Sequence, residues 1–292
     1  MPTDLTHLPE DAWLPRAAAH RKRVARFADP FLERRSAGRR HPVEDFLFTY
    51  YTEKPGRLQR WNPGAGVVLY GDAAAERLAW KHHRPEGDGV VFDATAFVAE
   101  RRRTVEYARS ILAGAAANPA RFSCFGLHEW AMAYRSEENG IRHDYLPLRL
   151  GAAGTDAVVE GHRIRCTHID AFRFYTPQAV PLNELRPTRE TQAAMDQPGC
   201  LHANMDLYKW AYKLSAAVPA DLLLATFELA WEIRTMDMRA SPYELDDWGY
   251  TPIRIETPEG KAEYVELQKD FADRSAVLRG KLLDIAERLL QA

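Results

Sequence analysis

The stretch Cys200-Leu201-His202-Ala203-Asn204-Met205-Asp206-Leu207-Tyr208-Lys209-Trp210 decides the reading of this chain. It holds neither glycine nor proline, and Leu207, Trp210 and Leu214 recur at the spacing by which a helix lays apolar side chains along one face. The same period sets His202 and Asp206 one turn apart, with Lys209 next along a polar stripe. An imidazole, a carboxylate and an ammonium therefore share one face of one element.

Outward from there, helical periodicity dominates. Ala12 to Phe27 predicts a first helix, and Pro30 opens a second short one at a tolerated first-turn position. Val43, Phe46, Leu47 and Tyr50 predict another over His41 to Tyr51, and Asp93 reads as the N-cap of a long helix to about Ala117. Further helices are expected over Phe122 to Tyr134, Thr188 to Met195, Leu201 to Ser215, Ala220 to Arg239 and Pro258 to Leu290. Lys54 to Gly66 is a loop, and Gly66-Val67-Val68-Leu69-Tyr70 suggests a short strand. Ala157 to Val159 and Arg163 to Tyr175 read as a hairpin around Glu160-Gly161. The expectation is a mainly α protein of the α+β class: one helical domain over 1–292 with a small antiparallel sheet. Basic helices fall within 1–40 and a long helix within 258–292.

Composition bounds the function. The 292 residues suffice for a substantial core, and a net charge of −2 does not resemble a strongly basic nucleic-acid-binding domain. Locally, however, Arg16, Arg21, Lys22, Arg23, Arg26, Arg34, Arg35, Arg39 and Arg40 face only Asp29 and Glu33. Such a cluster suits either a solvated helical face or contact with nucleic-acid phosphates. No apolar run approaches a membrane span, and Met1-Pro2-Thr3-Asp4 lacks the features of a secretory signal. The three cysteines, Cys124, Cys166 and Cys200, lie too far apart for a metal or redox motif, so a reduced cytoplasmic setting is expected. Neither a phosphate-binding glycine loop nor a Gly-x-Ser-x-Gly elbow is present.

The candidate site collects polar pairs from several segments. His168 and Asp170, on an extended stretch, would share a strand face. Together with His202 and Asp206 they supply four donors of the type a divalent metal takes, with His128 and Glu129 as further candidates. His128-Glu129 is not His-Glu-x-x-His, because Met132 stands four residues beyond His128. Catalytic candidates are thus Asp170, Asp206, His168, His202, His128 and Glu129. Tyr50, Tyr51, Trp130, Lys209 and Arg173 are candidate substrate contacts, since aromatic faces beside carboxylates are what an enzyme acting on an extruded base requires. The same residues also fit a wet helical face and ordinary core packing.

Four motifs carry a family resemblance: His41 to Tyr51, Phe125-Gly126-Leu127-His128-Glu129-Trp130-Ala131-Met132, Cys166 to Phe174 and Asp237-Met238-Arg239-Ala240-Ser241-Pro242-Tyr243. With His202 to Trp210 they resemble a group of bacterial, mainly actinobacterial, proteins labelled 3-methyladenine DNA glycosylase, over about His41 to Arg274. The resemblance implies an N-glycosidase that excises an alkylated or modified base but carries over no catalytic residue; the polar pairs of the candidate site supply Asp170 or Asp206 as the carboxylate, with His168 or His202 assisting. Asn62-Pro63-Gly64-Ala65-Gly66 is only a fragment of the hairpin of helix-hairpin-helix glycosylases, and Asp72 follows too closely to be their aspartate. Two alternatives stand beside it. One is a metal-dependent hydrolase or oxygenase using His168, Asp170, His202 and Asp206. The other is a non-catalytic nucleic-acid-binding protein using the basic helices.

Overall fold

Five buried residues, Trp13, His20, Val24, Ala28 and Phe31, form a stripe that carries helix α1 (Glu10–Ser36) unbroken through Pro15 and Pro30. Two helices were expected here. Each proline removes one backbone donor, but the buried stripe holds the flanking turns in register. The structure, a computed structural model, describes residues 5–291. Met1 to Asp4, read as lacking a secretory signal, and Ala292 lie outside them.

The chain divides into two compact units, one built from residues up to Leu112, Leu207–Glu228 and residues from Leu278 onward, the other from Ala113–Asp206 and Leu229–Val277. The first unit holds α1, α2 (Phe46–Tyr50), α3 (Pro55–Leu58), α4 (Asp72–Ala75) and most of α5 (Ala94–Ala117). Its sheet comprises β1 (Thr6–Leu8), β2 (Val67–Leu69), β3 (His83–Glu86) and β4 (Gly89–Phe92) in the order β1-β2-β4-β3. β1 and β2 run parallel, whereas β4 is antiparallel to both neighbours. Trp13 and Trp61 stack with ring centroids 6.1 Å apart in the cluster that also holds Leu69, Ala74, Val90 and Ala220. As expected, Asp93 caps α5, accepting the Ala96 N–H at 2.9 Å.

The second unit holds α6 (Leu127–Met132), α7 (Ser136–Asn139), α8 (Gly151–Glu160), α9 (Ile169–Phe172) and α10 (Gln192–Met195). It also takes the start of α11 (Leu201–Lys213), the end of α12 (Ala220–Arg239) and most of α13 (Pro258–Leu290). The chain passes from one unit to the other within α5, α11, α12 and α13, so no linker composition marks the boundaries.

Helix makes up 59% of the described residues and strand 6%, so the fold is mainly α with a minor sheet. The sheet is mixed, not antiparallel, and it does not lie over Ala157 to Tyr175. Ala157 to Val159 belong to α8, where Thr155, Val158 and Val159 bury one helical face and override the strand preference of the valines. Arg163 to Tyr175 is loop and short helix, with one isolated bridge between Ile164 and Asn183. The helix expected over Phe122 to Tyr134 starts only at Leu127, because Phe125 and Gly126 have φ of 48° and 68°. The His41 to Tyr51 helix is shortened too: the His41 ring accepts the N–H groups of Val43 and Glu44 and builds a turn instead. No helix among the described residues is long and apolar enough to cross a membrane.

Two helical glycines test this packing. A Cβ at Gly114 would stand 2.1 Å from the Ala193 carbonyl oxygen, whereas nothing lies within 4 Å of one at Gly280. Gly114→Ala is expected to lower stability by about 1–3 kcal/mol. Gly280→Ala should raise it by up to about 1 kcal/mol, because alanine is the better helix former. Urea denaturation of both variants measures this, and equal effects would contradict the packing at Gly114.

Candidate metal centre

Every residue of α6, including His128 and Glu129, is buried. Its start is set by the left-handed pair Phe125-Gly126, after which the Cys124 carbonyl accepts the Leu127 N–H at 3.0 Å. The non-glycine Phe125 held at φ 48° is the kind of backbone cost that tightly determined sites retain. His168 is the extended N-cap of α9, where its carbonyl accepts the N–H groups of Ala171 and Phe172. His168 and Asp170 therefore flank a helix start and do not share a strand face. His202 and Asp206 lie on α11 one turn apart, and α12 brings Arg234 and Asp237.

Three imidazoles run in a chain. The His128 and His202 rings meet edge to face with centroids 4.5 Å apart, and His202 and His168 lie near-parallel at 5.6 Å. Carboxylates stand at the outer ends. Asp237, fully buried, is 3.0 Å from His128 Nε2. His168 has Asp196 at 2.9 Å on Nδ1 and Asp206 at 3.5 Å on Nε2. Arg234 Nη1 reaches Glu129 at 2.8 Å and Asp237 at 3.5 Å. Gln192 in turn donates to Asp196 at 2.9 Å.

This arrangement separates the charge states of the histidines. Burial disfavours a charged His128, but the adjoining Asp237 carboxylate outweighs it and raises the imidazole well above its ordinary range. Burial likewise pushes Asp237 up, but His128 outweighs it and draws the carboxyl down to about 2. His202 goes the other way: burial first, then the charge on His128, hold it well below the ordinary value. The His202 ring is thus neutral, is 9% exposed, and makes no hydrogen bond among the described residues.

Two donor groups result. The ligating atoms of His128, His202 and Asp237 lie within 4.8 Å of one another, and so do those of His168, Asp170 and Asp206. Metal–donor bonds near 2 Å place tetrahedral ligands roughly 3–3.5 Å apart, so a small contraction closes either group. Asp170 already carries two ion pairs, to Arg189 and, at 3.2 Å, to Arg173. His128 and His202 also line a cavity of about 20 Å³, room for roughly one water. All three cysteines border it, and Cys124 Sγ lies 3.7 Å from His128 Nδ1. Burial raises Cys166 to about 11 and holds Cys200 well above the ordinary thiol range, so both stay protonated.

The structure brings His128, Glu129, His168, Asp170, His202 and Asp206 together and gives other roles to most of the expected substrate contacts. The Trp130 indole is fully buried and donates to the Ala240 carbonyl at 2.8 Å. Tyr50 stacks on Phe46, and Tyr51 packs edge-on against Tyr208, in the aromatic core of the first unit. Lys209 covers the Trp210 ring at 4.8 Å. Arg173 is the counter-ion of Asp170 and lies over Phe174. The expected set His168, Asp170, His202 and Asp206 is split, with His202 joining His128 and Asp237. Asp237, Arg234 and Asp196 were not among the expected site residues. A signal for the first two existed: Arg234 and Asp237 are charged residues three apart among Ile233, Met236 and Met238, all buried.

Arg234 is the counter-charge of two buried carboxylates. Arg234→Met is expected to destabilise the protein by about 3–5 kcal/mol, because Glu129 and Asp237 keep charges with one partner fewer. Adding Glu129→Gln should recover part of the loss. Urea denaturation of the single and double variants checks this, and a loss below about 1 kcal/mol for Arg234→Met would sink the account.

No family model, no curated protein and no solved structure matches the chain. The functional reading therefore rests on the geometry of the site.

Proposed function

We propose that the protein is a metal-dependent hydrolase that holds one divalent ion through His128, His202 and Asp237. The observation that carries this reading is His202: a neutral, nearly buried imidazole, without a hydrogen bond among the described residues, that lines a cavity beside a buried His–Asp pair. A histidine in the core is ordinarily satisfied by a protein partner. A lone pair kept neutral and open beside a carboxylate is what a metal ligand offers.

Three protein donors leave a position for water, and a bound divalent ion supplies the acidity that turns such a water into a nucleophile near neutral pH. The cavity has the volume for that water. The Gln268 side chain borders it fully buried; its amide N–H donates to the Gly199 carbonyl while its Oε1 has no partner among the described residues. That oxygen orients a water by accepting one of its hydrogens. Arg234 fixes Asp237 from behind, as Asp196 fixes His168. The second donor group draws less support, since its Asp170 is engaged by two arginines.

N-glycosidase chemistry through Asp170 or Asp206 also draws less from this geometry. Asp170 is paired with arginine, Trp130 and Tyr51 are packed as core, and half-buried Tyr50 stacks on Phe46. A cavity of about 20 Å³ admits a water but no base.

Protein dialysed against zinc and then desalted should retain one equivalent by elemental analysis, and His202→Ala should retain less than about a tenth as much. Retention should fall as the pH is lowered, because protons compete for His128. Hydrolysis of a panel of phosphate and carboxylic esters should stop on chelation and return with zinc. No retained metal in the wild type, or release of free base from alkylated DNA by chelator-treated protein, would reject the reading.

A further inference from the structure

The borders of the cavity are not alike in depth or charge. His128, His202, Tyr264 and Gln268 are buried at its floor, whereas Arg121, Ser123 and Arg165 are exposed at its rim. Neither aspartate nor glutamate is among the bordering residues. Arg121 is held by its backbone alone: its N–H donates to Gln197 Oε1 at 2.7 Å and its carbonyl accepts from Gln197 Nε2 at 3.4 Å. Its guanidinium makes no ion pair among the described residues. Arg165 has one carboxylate partner, Glu184 at 2.7 Å, which it shares with Arg163 at 2.6 Å. With no carboxylate on its border and the Arg121 guanidinium without an ion pair, the rim is net positive.

From this we infer that the substrate is anionic, with a phosphate or carboxylate group seated at the rim between Arg121 and Arg165. The inference rests on the metal-hydrolase reading above for the chemistry at the floor. Guanidinium forks match the geometry of an oxyanion, and bonds between ionised partners are stronger than neutral ones. The Ser123 hydroxyl adds an uncharged donor at the same edge. The cavity takes about one water, so the reacting bond alone comes near its mouth and the body of the substrate stays outside. Binding energy from the anionic group then fixes that bond over the floor, the use to which remote binding is best put. At the floor the buried Gln268 Oε1 is an acceptor, with which an anion cannot pair.

The test uses the whole protein and two probes, inorganic phosphate and acetate, followed by titration calorimetry. Each is run with the zinc-loaded and with the chelator-treated protein. At least one probe should bind the chelator-treated wild type at one site, and whichever binds identifies the group. Arg121→Gln should weaken it roughly tenfold, and Arg121→Gln with Arg165→Gln further. Arg163→Gln removes the same charge from the same Glu184 pair without bordering the cavity, and it should change binding less than about twofold. Circular dichroism and zinc retention of every variant should match the wild type, which separates loss of the rim from loss of fold or of the metal site. No binding of either probe, or equal weakening by Arg163→Gln and Arg121→Gln, would overturn the inference. Binding of a probe that fails only when zinc is removed would also overturn it, since the anion would then sit on the metal and not on the rim.

Discussion

Burying the Asp237 carboxylate without solvent is the constraint on which the second unit depends. A carboxylate in that setting either takes up a proton or is met by opposite charge. Asp237 is met, by His128 on one side and Arg234 on the other, and it stays ionised. Each partner enlists further groups. Arg234 brings Glu129 inside, and His128 sets the charge state of His202. One buried charge on α12 thereby determines which residue types α6 and α11 present to the interior.

Such a network is a weak source of stability, since a well-packed apolar set of the same volume would hold the helices equally well. Its value lies in electrostatic sorting. Adjacent imidazoles, with centroids 4.5 Å apart, are driven to opposite charge states because His128 is paired directly with Asp237, whereas burial and the charge on His128 govern His202. Sorting of this kind, where like groups are pushed apart by their surroundings, marks sites of chemistry. Both members border the cavity, and a charged rim borders it at its exposed end.

Much of the helical framework was legible in the sequence, and for a physical reason. The expected bounds Ala220 to Arg239 and Pro258 to Leu290 are those of α12 and α13, because both helices are long and strongly periodic. Among the short elements, the strand expected over Gly66 to Tyr70 is found as β2, but others differ. The Val158-Val159 pair reads as strand until tertiary burial of Thr155 on the same helical face decides it, and that burial is not written locally. The helix at Phe122 was shortened by a left-handed residue that is not glycine, and no residue type announces that conformation. The site followed the same division. Its histidines and the Asp170 and Asp206 carboxylates stood out by residue type and spacing. Their pairing did not: His202 groups with His128 and with Asp237 from α12, and Asp206 with His168 and Asp170. Nor could spacing show that cysteines 42 and 34 residues apart border one cavity, or that Arg121 stands at its edge.

The most direct test is anomalous diffraction at the zinc edge from crystals of the protein grown with zinc. The account predicts one strong peak, about 2.0–2.2 Å from a nitrogen of His128, a nitrogen of His202 and an oxygen of Asp237. A peak held instead by His168, Asp170 and Asp206, or no peak in this unit at saturating zinc, would contradict it.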